Sequence, residues 1–589
     1  MSQKPTNLNN IRHSAAHLLA AAVLKLYPDT KLTIGPAIEN GFYYDLDFKT
    51  PINEEDLPKI EAEMKKILPL WRGFSKREVT SKQAKEIYKD NPYKLELIDE
   101  IVEKGEPITL YKAGEFEDLC RGGHSENPAK DIGVIKLLSL AGAYWRGNEK
   151  NKMLTRIYGI CFKTQKELDE YLKLLEEAKK RDHKKLGPAL ELFFFHETSP
   201  GMPYWLPKGM IIYNELLKFS KQLQGKKKYG YQEISAPVLN KKELYQTSGH
   251  WQHYREDMFI SPMSFITGDS KLVLEGAEVF GIKPMNCPNA MKIFEMKKRS
   301  YRDLPLKLSE YTALHRFEPS GTLNGLFRTR EFHQDDAHVF ITGSEQLKEE
   351  FKNLMEFIDE LYSPFGLTYR LRFGTMPNNH MGEKKDWEIA EKYLQNVLDS
   401  SQKEYVREEG EGAFYGPKID ILMKDILGRE WQTGTIQLDF QQPKNFQLTF
   451  ADRNGNLVMP YVIHRAIYGS FERFIGILIE HYGGAFPLWL SPVQLELLTV
   501  TEAQNDYASE VLRKISEAGI RVEYDLRNES LSAKIRDATL QKIPYLGIIG
   551  SREAEEDSVS VRLRNGKDLG KIRIADLILK IKQEIDKKA

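Results

Sequence analysis

Only three cysteines occur in 589 residues, so no disulfide framework holds this chain, and the few thiols fit a reducing compartment. No apolar run approaches the length that a membrane-spanning helix needs. The opening MSQKPTNLNNIRHSAAHLL returns to polar and charged residues before it builds the apolar core of a signal peptide. Net charge is missing as well: 85 Lys and Arg balance 85 Asp and Glu. Any nucleic-acid surface must therefore be a local basic patch with salt-sensitive affinity. The GxxxxGK[ST] loop is absent, which disfavours a P-loop nucleotide enzyme. There is no internal repeat and no low-complexity tract.

What remains is a globular composition, 41% hydrophobic and 29% charged, too long for one ordinary core. Four parts separate by pattern. Residues 1–163 mix a helical opening (IRHSAAHLLAAAVLKLY), a strand (GFYYDLDF) and a second helix (LPKIEAEMKKIL). Residues 164–187 read as a solvated connecting helix that Gly187-Pro188 ends. In residues 188–490, KGMIIYNELLKFSKQL reads as a long helix and YQEISAPVL as the strand after it. LSEYTALHRFE and EFHQDDAHVFI read as two strands joined by a polar, basic loop, and RAIYGSFERFIGILIEHY as a buried amphipathic helix. Residues 491–589 alternate strands (VQLELLTV, IRVEYDL, PYLGIIG, SVSVRLR) with helices, the pattern of a partly parallel, helix-covered sheet.

Two short spacings invite chemistry. His13 and His17 are four apart on a predicted helix and share one face, and Cys120 and His124 are four apart in a turn-like CRGGH. Each pair alone is plausible as two structural residues; both together are harder to dismiss. Cys287, His338 and His464 are separated by 51 and 126 residues, nothing like a zinc finger. Taken singly, such a histidine is more often a satisfied core residue, and such a cysteine a small buried hydrophobe.

In order along the chain stand HSAAH, DLCRGGH, SPGMPYWLPKG, TSGHW, MNCP, HRFEPSGTL, QDDAH, GAFYGPKID, WQTGTIQLDF, VIHRAIYGSFERF and RLRNGKDLG. From about residue 10 to the C-terminus, the chain resembles the threonyl-tRNA synthetases. The resemblance implies an α+β multidomain fold. Its parts are an N-terminal editing domain (1–163), a linker helix (164–187), a class II catalytic core of antiparallel sheet with flanking helices (188–490), and a C-terminal α/β anticodon-binding domain (491–589). It implies a cytoplasmic homodimer, with the helix and strand ending at Pro237 at the dimer interface. ATP with Mg²⁺, L-threonine and tRNA(Thr) would be its substrates and partners.

The expected chemistry explains the residue types. A carboxylate attacks the α-phosphate of ATP and pyrophosphate leaves, so positioning and charge stabilisation do most of the work. Guanidinium forks suit both anions. By resemblance, Arg316 bridges the α-phosphate and the amino-acid carboxylate, Arg473 holds the γ-phosphate end, and Glu318 and Arg328 contact the base and phosphates. Mg²⁺ accompanies ATP through its phosphates.

Cys287, His338 and His464 would hold one Zn²⁺ per subunit, leaving a coordination position open. A metal that takes the amino group and hydroxyl of threonine rejects valine, which a hydrophobic pocket cannot do well. Asp336 would accept the substrate hydroxyl; Met285, Tyr415, Lys418 and Gln432 would line the pocket, and His250 would serve transfer to tRNA.

Serine carries the same two groups, so a second, hydrolytic site is needed. His13, His17, Lys94, Asp118, Cys120 and His124 match that site. Glu553 and Arg562 match positions that read anticodon bases.

Several departures from the family pattern stand out. The chain has no room for a small extra domain with which the family often begins. CRGGH replaces CRGPH, and the backbone freedom of Gly123 would loosen the turn. Asn289-Ala290 replaces Gly-His, and the stretch between Phe259 and Cys287 is long. Two other functions compete: an RNA-binding regulatory paralogue, which would be expected to lose Arg316, Arg473 or a zinc ligand, and a free-standing zinc hydrolase centred on residues 13–124, which would need neither the nucleotide core nor the C-terminal part.

Overall fold

The computed structural model describes residues 8–38, 41–262, 265–266, 272–273, 278–426 and 428–588. Much of the long stretch between Phe259 and Cys287 thus lies outside the described residues. The chain divides into two units, Met1–Glu176 and Glu177–Ala589. The division falls within the helix Gln165–Arg181.

In the first unit the helix Leu8–Leu26 is apolar nearly all round and accordingly buried: Ala15, Ala16, Leu18, Leu19 and Ala22 are fully covered. It packs on helix Leu57–Ile67 and on strand Gly41–Asp47. Leu57, Ile60, Met64 and Ile67 of the second helix, at three- and four-residue steps, form its buried face. The main sheet is antiparallel, running from Lys31–Leu32 through Gly41–Asp47 and Met153–Phe162 to Val134–Tyr144. A smaller antiparallel sheet, Ser75–Val79, Ile108–Ala113 and Phe116–Leu119, ends just before Cys120.

The second unit is built on an eight-stranded sheet. In order its strands are Gln232–Glu233, Leu306–Glu310, Asp336–Ile341, Tyr461–Ala466, Glu430–Asp439, Lys418–Lys424, Thr368–Gly374 and Tyr405–Glu408. The six inner strands are antiparallel and the two edge pairings parallel. Helices Phe471–Tyr482 and Ser344–Tyr362 supply buried aromatic and aliphatic faces to its core. A second, five-stranded sheet orders Val522–Asp525, Leu495–Thr499, Tyr545–Ile549, Ser558–Leu563 and Asp568–Arg573. Its first three strands are parallel and the last two antiparallel, the partly parallel sheet expected from alternation.

Five local readings are corrected. LSEYTALHRFE is two strands, Leu306–Glu310 and Ala313–His315, in different sheets, and EFHQDDAHVFI likewise divides into Glu331–His333 and Asp336–Ile341. YQEISAPVL pairs in the large sheet only through Gln232–Glu233. Gly187-Pro188 does not end the linker helix: it breaks at Asp182, whose side chain accepts from Lys184 N, and a short helix His183–Ala189 contains Pro188. RAIYGSFERFIGILIEHY is not helical throughout. Arg465 and Ala466 finish a strand, and the helix starts only at Phe471, where Ser470 Oγ accepts from Arg473 N.

Candidate functional site

A cavity of about 600 Å³ opens on the face of the large sheet. Cys287, His338 and His464 all line it. His338 and His464 lie directly opposite each other on adjacent antiparallel strands, so their side chains share one face. Cys287 begins the helix Cys287–Glu295, whose first turn Pro288 favours. The donor atoms of the three all lie within 4.8 Å of one another, and all three residues are buried. His464 Nε2 bonds Asp439 Oδ2 at 2.9 Å, which leaves Nδ1 free to face the other donors. Burial pushes the Cys287 thiol well up and the His338 imidazole well down. Two imidazoles and a thiol, one imidazole oriented by the Asp439 carboxylate, are a donor set that a divalent cation fits.

Asp336 lies on the same wall, where Asn286 Nδ2 donates to its Oδ2 at 3.0 Å. Met285 and Tyr415 line the wall too, and Tyr415 Oη donates to Gln437. His250 is not on the wall. It is fully buried, with Nδ1 2.9 Å from Ser248 Oγ and Nε2 3.2 Å from Met285 Sδ and 3.7 Å from Cys287 Sγ. Burial takes its pKa down to about 3, so its ring is neutral.

The opposite part of the cavity is basic. Arg316 stacks on Phe332, guanidinium to centroid 4.9 Å, with Nε donating to Pro284 O. Arg473 is held by two carbonyls, Phe327 O at 3.0 Å and Gln432 O at 2.9 Å. Burial and the nearby Arg328 press its pKa down. Arg328 Nε donates to Glu318 Oε2 at 2.7 Å. Lys418 Nζ and Gln432 Nε2 both bond Asp420, at 3.0 and 2.8 Å, and Arg372 bridges Gln432 and Asp420. Arg316, Arg328 and Arg473, with Glu318 the carboxylate paired to one of them, make this part of the cavity a site for anions.

In the first unit, His13, His17, Cys120 and His124 come together, with ligand atoms within 4.8 Å. Cys120 Sγ lies 3.6 Å from His13 Nε2 and 3.4 Å from His124 Nε2. His13 Nδ1 donates to Gly123 O at 3.2 Å, which leaves its Nε2 lone pair directed at Cys120. Gly122 and Gly123 have φ of +103° and +83°. These positive φ values, which glycine adopts without strain, turn the Gly123 carbonyl toward His13. Beside the cluster, Asp118 accepts from Lys94 Nζ at 2.6 Å and Tyr44 Oη at 2.6 Å, with both ions of the pair buried. Burial lowers His17 well below its ordinary pKa, takes His124 down to about 3 and lifts Cys120 to about 11. At neutral pH the cluster is two neutral imidazoles and an intact thiol beside a weakly basic His13.

Glu553 and Arg562 belong to the second sheet's surroundings. Glu553 accepts from Gly550 N at 3.0 Å and Ser560 Oγ at 2.9 Å, and Arg562 is exposed on Ser558–Leu563. Sequence reasoning missed Asp439, the partner of His464, and Ser248, the partner of His250. Ser248 lies in TSGHW and Asp439 in WQTGTIQLDF, but nothing in either motif marks them as partners of a histidine.

Comparison with known proteins agrees with this layout. The profile of the "tRNA synthetase class II core domain (G, H, P, S and T)" matches residues 271–482, that of an "Anticodon binding domain" residues 494–584, and that of the "Threonyl and Alanyl tRNA synthetase second additional domain" residues 108–158. A threonine–tRNA ligase of Thermotoga maritima is 48% identical over 98% of this chain and 88% of its own length. One of Clostridium botulinum is 50% identical over 98% and 89%. A crystal structure of the RNA-binding domain of the Cryptosporidium parvum threonyl-tRNA synthetase superposes with a TM-score of 0.64 at 39% identity, covering 68% of this chain and 98% of that one.

Proposed function

The chain belongs to the threonine–tRNA ligases, ATP-dependent enzymes of class II that join threonine to tRNA, and we propose how its own residues divide that work. The domain division is the one given by the sequence pattern: editing in 1–163, a linker in 164–187, catalysis in 188–490 and anticodon binding in 491–589. One observation carries the reading of the core: the Cys-His-His donor set and the arginine wall share a single cavity.

Cys287, His338 and His464 would hold Zn²⁺, and bound there it would take the amino and hydroxyl groups of threonine. Asp336 Oδ1, which Asn286 does not bond, accepts a hydrogen bond from the threonine hydroxyl. Arg316 draws the threonine carboxylate and the α-phosphate together, so that a carboxylate oxygen attacks phosphorus and the bond to pyrophosphate breaks. Arg473 and the Arg328–Glu318 pair hold the outgoing phosphates and the base, with Mg²⁺ on the phosphates. Lys418, Gln432, Tyr415 and Met285 shape the pocket. The terminal hydroxyl of tRNA then attacks the carbonyl carbon and AMP leaves; His250, held by Ser248, orders the wall beside that step.

In the first unit, water attacks the ester of mischarged seryl-tRNA. The His13 Nε2 lone pair is placed to accept a proton from water, the neutral His17 and His124 and the Cys120 thiol to orient it. Lys94 and Asp118 contact the terminal ribose. Glu553 and Arg562 read anticodon bases. We further propose a cytoplasmic homodimer: the three cysteines described are unpaired thiols, no described helix is long and apolar enough to cross a membrane, and Gln232–Glu233, which follows the helix Pro207–Gln224, is an edge strand of the large sheet.

Cys287→Ala tests the assignment. Threonine-dependent ATP–pyrophosphate exchange is expected to vanish, while hydrolysis of seryl-tRNA stays within about twofold of wild type. Equal loss of both overturns the division of labour.

A further inference from the structure

The segment Arg181-Asp182-His183 precedes the catalytic core in sequence and belongs to no motif used above. Yet His183 is fully buried. Its Nδ1 lies 2.8 Å from Glu480 Oε1, and its Nε2 accepts from Leu326 N at 3.0 Å. The second bond places the lone pair on Nε2 and hence the proton on Nδ1, which donates to Glu480. The ring thus has one tautomer and both its nitrogens are used. It also packs on Phe327, centroids 4.1 Å apart.

The two elements joined in this way are the two that carry the phosphate-directed arginines. Leu326 and Phe327 immediately precede Arg328, and Phe327 O accepts from Arg473 Nε. Glu480 lies on the same helix as Arg473, near its other end. That end is fixed again: Arg429 pairs with Glu480 Oε2, and Arg181 Nη1 donates to His481 O at 2.8 Å. The neighbouring Lys184 Nζ reaches Asn324 Oδ1 at 3.1 Å, a second hold on the loop. Gly325 has φ +52°, and a Cβ there would sit 2.3 Å from His183 Nε2. The loop therefore comes down onto the ring at a point where only glycine fits.

We propose that His183 is a positioning residue for the nucleotide: by bonding the 324–327 loop on one nitrogen and the Arg473 helix on the other, it sets the spacing of Arg328 and Arg473 that ATP meets. This rests on the assignment of those arginines to ATP. Among the described residues, the exposed loop tip, Ser320 to Thr322, makes no bond to a fully buried ring such as His183 makes to Leu326. Its side-chain bonds run to Pro319 and Arg330, so the buried ring is the fixed end of the loop.

The test is ATP–pyrophosphate exchange by the full chain, with KM for ATP and for threonine measured separately. His183→Asn keeps a donor for Glu480 but is too short to accept from Leu326. His183→Gln carries an acceptor to the place of Nε2 and loses the Nδ1 donor, but the backbone N–H of residue 183, 3.2 Å from Glu480 Oε1, keeps the hold on the helix. A lost hydrogen bond to a buried N–H corresponds to a five- to tenfold effect, order of magnitude. H183N is therefore expected to raise the ATP KM about five- to tenfold with the threonine KM within about twofold, and H183Q to restore the ATP KM to within about twofold of wild type. Gly325→Ala, whose added methyl pushes the loop off the ring while His183 itself is not substituted, is expected to raise the ATP KM in the same way and covers the case that H183N fails to fold. Equal ATP KM values in H183N and H183Q, or ATP and threonine KM rising together, overturn the proposal; so does an unchanged ATP KM in G325A. Arg473→Ala separates the premise from the inference. An unaltered ATP KM in that variant would overturn the nucleotide assignment itself, and the proposal with it.

Discussion

Asp439→Asn probes the zinc reading at a residue that touches no substrate. Asp439 is fully buried. Its Oδ1 accepts from Gln441 N at 2.8 Å and Gln442 N at 3.0 Å, while Oδ2 lies 2.9 Å from His464 Nε2. In the variant the amide oxygen keeps the two backbone bonds, so the NH₂ group is left facing Nε2. A donor there requires a lone pair on Nε2 and drives the proton to Nδ1, the nitrogen that would bind the metal. Restoring the ligand tautomer sets N–H against N–H in a buried place, at a cost of about 1–3 kcal/mol. Outer partners of metal-bound histidines are generally worth about 10–100-fold in affinity, which is about 1.4–2.7 kcal/mol and agrees with that range. Competition with a chromophoric chelator should therefore show zinc bound about 10–100-fold more weakly by D439N. The threonine KM should rise and the ATP KM should not. Zinc affinity within about twofold of wild type, in folded protein, would refute the argument that Asp439 sets the His464 tautomer.

Two further expectations concern the rest of the chain. Lys94→Met leaves the buried Asp118 without its cation, held only by hydrogen bonds from Tyr44 Oη and Leu119 N, and breaking such a pair costs about 3–5 kcal/mol; urea unfolding should show the first unit weakened and seryl-tRNA hydrolysis should fall, with threonine activation unchanged. Burial, with Asp525 and Glu523 nearby, lifts Glu496 to about 7. The folded chain thus keeps a proton up to about pH 7 that the unfolded chain releases near 4.5, and stability falls as pH rises through that window. Glu496→Gln should raise the melting temperature at pH 8, by an amount equivalent to about 1–3 kcal/mol, and leave it unchanged at pH 4; an equal effect at both would contradict the titration.

The C-terminal sheet was legible because its signals are local. Each strand of Leu495–Thr499, Val522–Asp525 and Tyr545–Ile549 is bounded by turns and followed by a helix of its own period. The catalytic core was less so. Periodicity carried the helix Phe471–Tyr482 back through Arg465, but tertiary bonds decide that boundary. Asp335 accepts from Ile467 N and Tyr468 N and pairs with the buried Arg465. Gly469 then turns at φ +80° against Thr433 O, and only Ser470 admits the helix. The three zinc-candidate residues could be named through family resemblance alone, because their meeting depends on the pairing of strands Asp336–Ile341 and Tyr461–Ala466, set by contacts more than a hundred residues apart. Asp439 and His183 had no sequence signal: each is one acid or one histidine among many until the fold shows what it touches.

The most direct measurement is ATP–pyrophosphate exchange with threonine, serine and valine, before and after zinc removal. The account predicts exchange with threonine, weaker exchange with serine and near-background exchange with valine, all lost on zinc removal and recovered when zinc is returned. Undiminished threonine exchange by the zinc-free, folded protein, or valine activated as well as threonine, would contradict the claim that Cys287, His338 and His464 select the substrate through a metal.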